Sequence, residues 1–238
     1  EALEILTGQG AQPGVSKALF QRLSDTTIAR LDADQLAWSA GRALDAAGAH
    51  VFCRNLVSKG VTEVFVHADD FDGLFALSAR EFDRMELNVL AARVATTADH
   101  NSWNLFQLMD ANGSALNDSD RSRLEQALIR QLGQRDIRPL PGRPIPRRLR
   151  HFMRRAEIQF EQNGDLTRLE IATTDRPGLL SAIAESLLAA GVRLHDARVA
   201  TFGQRVEDVF VLSTLGGEAL NAETRDALER ELRTRLDP

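Results

Sequence analysis

TTDRPGLLSAIAESLLAAGVRLHDARVATFGQRVEDVFV, residues 173–211, is the stretch that decides the fold. A turn, Asp175-Arg176-Pro177-Gly178, separates a short strand pattern from an amphipathic helix whose apolar positions are Leu179, Ile183 and Leu187. Gly191 stops that helix, because the residue leaving a helix C-terminus often needs a positive φ that glycine takes without strain. Two strand patterns follow, parted by a turn at Gly203-Gln204. The order is strand, helix, strand, strand.

The same order occurs upstream. Asp70-Phe71-Asp72-Gly73-Leu74 parallels Asp175-Arg176-Pro177-Gly178-Leu179, and Ala92-Arg93-Val94-Ala95-Thr96 recurs 105 positions later as Ala197-Arg198-Val199-Ala200-Thr201. After a one-residue difference in the turn, Phe106 matches Phe210 and Gly113 matches Gly217. Leu124, Leu128 and Leu132 then match Leu228, Leu232 and Leu236. Five identical residues in register, with matching turns and helices on both sides, mark an internal duplication.

Each copy is preceded by a hairpin pattern. His50 to Val57 and Val61 to Val66 flank Ser58-Lys59-Gly60, and Ala156 to Phe160 and Arg168 to Ala172 flank Asn163-Gly164, a strong hairpin dipeptide. The chain stops just after the last helix of copy two, so the hairpin's first strand is expected to fill the slot that a ferredoxin-like sheet gives its last strand. The expected fold class is α+β: two ferredoxin-like units, each a rearranged ββαββα with a four-stranded antiparallel sheet and two helices. The expected boundaries are a helical segment at 1–49, a first unit at 50–133, a linker at 134–154 and a second unit at 155–238.

Residues 1 to 14 read as a loop or frayed start and Val15 to Ala47 as helical, anchored by Leu19, Leu23, Ile28, Leu31, Leu36, Trp38 and Leu44. Opening on Glu1 in mid-pattern, the chain is expected to be a piece of something longer, this segment being the tail of a preceding helical domain. The stretch Gly133 to Arg155 holds Pro139, Pro141, Pro144 and Pro146, four of the seven prolines, together with eight arginines; proline at that spacing favours an extended, semi-rigid connector.

Composition narrows the function. A net charge of −5 gives no support to a general nucleic-acid binder. The lone Cys53, in a strand pattern, excludes an internal disulfide framework and a cysteine-rich zinc site, and reads as a packing residue in a cytoplasmic protein. No apolar run reaches the roughly 18 residues of a membrane span. Asp32-Ala33-Asp34 and Asp118-Ser119-Asp120 have the spacing of magnesium-holding carboxylates, but neither follows a Gly-Ser loop and both sit at helix starts, where Asp caps free N–H groups. His195-Asp196 is the one His-Asp dipeptide, and it falls inside a strand pattern with no further ligands at metal-binding spacing. No catalytic residue, metal site or cofactor is therefore expected in this chain.

Binding is better supported. The turn after Asp175 delivers the chain into a helix N-terminus, whose free N–H groups and dipole suit a carboxylate, and Gly178 lets a ligand approach the backbone.

DRPGLL leading into a helix, followed by GVRLHDARV, resembles the ACT domain, a small amino-acid-sensing module. Tandem copies with GQRVEDVFVL in the second, preceded by RRLRHF and AEIQF, resemble the C-terminal end of bacterial bifunctional uridylyltransferase/uridylyl-removing enzymes. That resemblance covers residues 50 to 238 and, more loosely, 1 to 49, which would be trailing helices of an HD phosphohydrolase domain. It implies a glutamine sensor that controls, in its parent, uridylyl transfer to and removal from the nitrogen-regulatory P-II protein, with Mg2+ and UTP used by the parent and not by this region. Partners implied are glutamine, the parent's catalytic domains and P-II, with no nucleic acid and no membrane. The ACT units would pair within the chain or across a homodimer. Carried over by position, the ligand set is Asp175, Arg176, Pro177, Gly178, Leu179 and Leu180 with Leu194, His195 and Asp196. In copy one it is Asp70, Phe71, Asp72, Gly73 and Leu74 with Asn88, Val89 and Leu90. The resemblance implies a ligand held between the loop of one unit and the second strand of its neighbour, where Asp175 or Asp196 would take its ammonium group. Copy one departs from the pattern, with Phe71 for Arg176 and Asp72 for Pro177, which loosens the turn and predicts weaker or different binding there. Two other readings are a ligand-free protein-interaction module and an ACT regulator of another amino-acid pathway.

Overall fold

The computed structural model describes residues 1–8, 13–44, 48–138 and 155–237. Each half builds the same sequence of elements. Unit one runs β1 (His50–Leu56), β2 (Val61–His67), α5 (Leu74–Arg84), β3 (Asn88–Ala95), β4 (Asn104–Met109) and α6 (Asp118–Gln134). Unit two runs β5 (Glu157–Asn163), β6 (Leu166–Thr174), α7 (Leu179–Ala189), β7 (Val192–Phe202), β8 (Arg205–Thr214) and α8 (Ala222–Leu236). The duplication extends to single hydrogen bonds. Thr62 Oγ1 accepts the Leu116 N–H at 2.8 Å and Thr167 Oγ1 accepts the Leu220 N–H at 2.9 Å. Asn117 and Asn221 then cap α6 and α8 through their side chains.

The strands form one antiparallel sheet in the order β1-β2-β4-β3-β7-β8-β6-β5. The hairpin strands β1 and β5 take the outer edges, as the strand count required. At the centre, β3 pairs with β7 in antiparallel register, Arg93 opposite Arg198. These two arginines are equivalent positions of the repeat, so a pseudo-two-fold axis passes between them. On the helical layer the axis passes between Arg80 of α5 and Glu185 of α7, again 105 residues apart, which form an ion pair with Glu185 almost fully buried. Unlike charges at equivalent positions favour the pairing of unit one with unit two, since like units would place Arg against Arg or Glu against Glu.

Four helices, α5 to α8, cover one face of the sheet over a continuous core that includes Val64, Phe82, Phe106, Leu128, Ile183, Phe210 and Leu228. Cys53 packs at its edge, where burial pushes its thiol pKa up. The other face differs between the halves. Over unit one it is roofed by α1 (Ala2–Gly8), α2 (Pro13–Phe20), α3 (Asp25–Arg30) and α4 (Ala33–Leu44), packed on Phe52, Phe65, Trp103 and Leu105. Unit two has Gln159, Glu170, Glu207 and Val209 at the corresponding register positions.

Several local expectations change. Ala2–Gly8 is helical, with Leu6 buried against the roof, so the start of the chain is not simply a loop. The Val15 to Ala47 pattern is broken into separate helices at Ser24, which caps α3, and at Asp32, whose carboxylate accepts the Gln35 N–H. Asn117, not Asp118, caps α6, while Asp118 and Asp120 pair with Arg121 and Arg123. The second hairpin turns on Gly164-Asp165, with Asn163 still paired to Leu166, because Gly164 is the residue that takes φ +61°. Of the expected linker, residues 139–154 lie outside the described residues.

Candidate functional site: a cleft at the seam between the units

The side-by-side pairing sets the loop of each unit against the first residues of the other unit's inner strand. The candidate residues were named copy by copy; in the structure the loop of one copy meets the strand of the other. Asp175 to Leu180 meets Asn88, Val89 and Leu90, whereas Asp70 to Leu74 meets Arg193 and His195.

The first pairing lines a small cleft that is open to solvent. One wall is the Asp175–Ser181 loop and the start of α7. The other is Asn88–Leu90 with Ala79, Phe82, Asp83 and Leu87. The floor is made by Val199 and Thr201 of β7 and by Val206 and Asp208 of β8. Gly178 caps α7 at φ +74° with no side chain to satisfy the helix's first N–H groups. Asp175 therefore does not cap the helix; its own N–H donates to the Gln204 carbonyl, and burial raises its carboxyl pKa. A Cβ at Gly178 would lie 3.1 Å from the Asp83 carboxylate, so a carboxyl group from unit one already leans over the N-terminus of α7. Arg176 is buried, 8% exposed, and its Nη2 donates to the Arg235 carbonyl at 2.6 Å while its Nε has no hydrogen-bond partner. Burial lowers its pKa against the opposing pull of Asp83.

Asp208 was not singled out in the sequence. It is 2% exposed, on the face of β8 that carries Val206 and Phe210, and its Oδ1 accepts the Ala200 N–H at 3.3 Å. Among the described residues no cationic side chain pairs with it, and burial pushes its pKa up to about 7. The available signal was an acid at a core-facing position of an alternating strand. Asp83, the other missed group, gave no local signal, because only the long-range pairing brings α5 to the loop of unit two.

The second pairing is closed. Asp72 and Arg193 form a two-pronged ion pair at 3.0 and 3.1 Å across the seam, and Asp70 accepts a hydrogen bond from Thr96 Oγ1. Gly73 caps α5 at φ +105°, but a Cβ there would lie 2.8 Å from Ile137, and Leu188 stands where Asp83 stands in the first cleft. Arg135 stacks over Phe71 at 4.7 Å. At the turn without proline, Asp72 is tied to Arg193 of the other unit.

The remaining candidates are spread out. Leu194 is packed at the edge of the main core. His195 Nε2 lies 2.8 Å from Ser213 Oγ, with its pKa lowered by burial and then by Arg193. Asp196, beyond the irregularity between Leu194 and Asp196 in β7, lies in a hollow on the opposite face with Arg93, Arg168 and Arg198. It is therefore not a cleft residue, and the assignment of a ligand's ammonium to it is corrected. Among the described residues no three His, Cys, Asp or Glu side chains come together as a metal site, and no helix is long and apolar enough to cross a membrane.

No family model matches the chain. It is 32% identical over 243 residues, its whole length, to a bifunctional uridylyltransferase/uridylyl-removing enzyme of Xanthomonas campestris pv. campestris (strain B100), and 32% identical over 245 residues to that of Acinetobacter baumannii (strain AYE). The chain spans only 28% of the length of these relatives.

Proposed function

The chain is homologous throughout to a part of the bifunctional uridylyltransferase/uridylyl-removing enzymes, and from that premise we propose that it is a regulatory region which binds a free amino acid, glutamine, in the seam cleft. The paired units are then ACT domains. Glutamine binding there controls uridylyl transfer to, and removal from, the P-II protein by catalytic parts of the parent that use Mg2+ and UTP.

The observation that carries this reading is the cleft built jointly by the two units, in which Asp83, Asp175, Arg176 and Asp208 are set among apolar side chains. Both walls come from different copies, so a ligand in it changes how the units sit against each other. An amino acid offers groups that fit the cleft's lining: a carboxylate for the Arg176 guanidinium and the α7 N-terminus, and an ammonium for the cleft's acids. Coupling of this kind is reciprocal: the state of the parent that binds glutamine better is the state glutamine stabilises.

Calorimetric titration of the chain with glutamine, against asparagine, glutamate and leucine, tests the reading directly. Saturable heat with glutamine is expected. A folded chain that gives no heat at millimolar glutamine would sink it and favour a ligand-free docking module.

A further inference from the structure

The two units keep one buried hydrogen bond but differ in its acceptor. In unit one, Asn104 Oδ1 accepts the Ala95 N–H at 3.3 Å; in unit two, Asp208 Oδ1 accepts the Ala200 N–H at the same distance. Ala95 and Ala200 are equivalent in the repeat, and so are Asn104 and Asp208. Both side chains are buried, at 1% and 2% exposure. A neutral amide serves the bond equally well, so the hydrogen bond gives no reason for unit two to carry a carboxyl group that is costly to bury without a cation.

What distinguishes unit two is the cleft. Asp208 forms part of its floor, whereas the corresponding pairing in unit one is shut by Asp72–Arg193 and by Ile137 against Gly73. We propose that Asp208 is the ammonium-binding residue of the seam cleft, taking the α-amino group of the bound amino acid from below while the Arg176 guanidinium takes its carboxylate. This rests on the amino-acid-sensing reading and adds to it the group that reads the ligand's positive charge.

Asp175 is the charged group that acts on Asp208; Arg176 on the loop and Asp83 on α5 line the same cleft, while β6 sets Ile171 opposite Asp208 and β7 lines the floor with Val199 and Thr201. Burial, and then the nearby Asp175, hold Asp208 largely protonated below pH 7 in the empty cleft. An ammonium ion set against it draws it into the ionised form, so ligand binding expels that proton. The second neighbouring acid, Asp83, leans over Gly178 and must swing aside to admit a ligand.

The test is calorimetry with glutamine on the whole chain, at pH 6 and pH 8 in buffers of different ionisation enthalpy, beside the variant Asp208→Asn. That variant places in unit two the residue unit one already has, and it keeps the acceptor for Ala200. The wild-type chain is expected to release close to one proton per glutamine at pH 6 and few at pH 8, with affinity falling about tenfold per pH unit below pH 7. Asp208→Asn should bind at least about tenfold more weakly at pH 8 and lose the proton release. It should also cease to distinguish glutamine from its desamino analogue, 4-carbamoylbutanoate. Wild-type binding at pH 6 with no proton released overturns the proposal without any variant. Equal affinity and equal proton release in Asp208→Asn overturn it too, and leave the sensor reading standing. A wild-type chain that binds no glutamine overturns both.

Discussion

Gly178 is where backbone and neighbouring side chain constrain the same atom. Its φ of +74° strains any L side chain, and the Asp83 carboxylate occupies the space a Cβ would enter. Gly164 has a similar φ with nothing within 4 Å, so the two positions separate strain from crowding. Gly164→Ala should cost about 1 kcal/mol in denaturant unfolding, the price of the backbone alone. Gly178→Ala should cost about 1–2 kcal/mol and also abolish the glutamine heat, because it blocks the approach to α7. Loss of stability without loss of glutamine binding would show that Gly178 only makes the turn. Asp208 carries a second prediction, for the empty chain. Its folded pKa, about 7, lies above its unfolded value, so its favourable contribution is complete below pH 4 and disappears as pH rises toward 7. Replacing it by Asn should therefore raise stability at pH 8 relative to pH 5 by a few kcal/mol, on the order of 2–4, read as a flatter profile of unfolding free energy against pH.

Among elements, the α5–α7 contact and the β3–β7 ladder determine how the halves meet. The ladder alone places Arg93 beside Arg198, an unfavourable like-charge pair. The helical layer counters it with the buried Arg80–Glu185 pair, while Arg80 also donates to the carbonyls of Asp136 and Arg138. Arg80→Glu would leave two acids facing each other at the axis. It should lower stability by about 3–5 kcal/mol, and the exchange Arg80→Glu with Glu185→Arg should recover part of that. Equilibrium unfolding of the wild type, both single variants and the exchange gives the coupling; additive effects would mean that the pair does not hold the seam.

At the scale of the molecule, the back of the sheet is read as one row. Phe52, Phe65, Leu105 and Arg93 of unit one continue through Arg198, Val209, Glu170 and Gln159 of unit two. The row changes from apolar to charged at the seam, and the helical roof ends with the apolar half. Phe65, fully buried against Trp38 and Trp103, corresponds to Glu170 in the repeat. Phe65→Glu should release the roof. Limited proteolysis is expected to cut between the roof helices and β1, leaving a protected sheet, whereas the wild-type chain resists at the same protease ratio. Coincident loss of roof and sheet would show them to be a single cooperative unit.

The duplication, the order of elements, the hairpin strands at the sheet edges and the stop at Gly191 were all determined by the sequence alone. Each depends on local spacing or on a glycine's conformational freedom, and both leave a mark within a few residues. The candidate loops, Asp70 to Leu74 and Asp175 to Leu180, were legible for the same reason. Whether the strand each loop faces belongs to the same chain was not, and neither was the departure of Asp196 to the far face, the ion pair of Asp72 with Arg193 and the approach of Ile137 to Gly73, or the arrival of Asp83 beside Gly178. Those depend on the register of β3 with β7, a pairing of residues 105 apart that local pattern does not encode. Asp208 stands between the two cases: its place in the alternation of β8 was written in the sequence, but only the tertiary structure put it on the floor of a cleft where, among the described residues, no cationic side chain forms an ion pair with it.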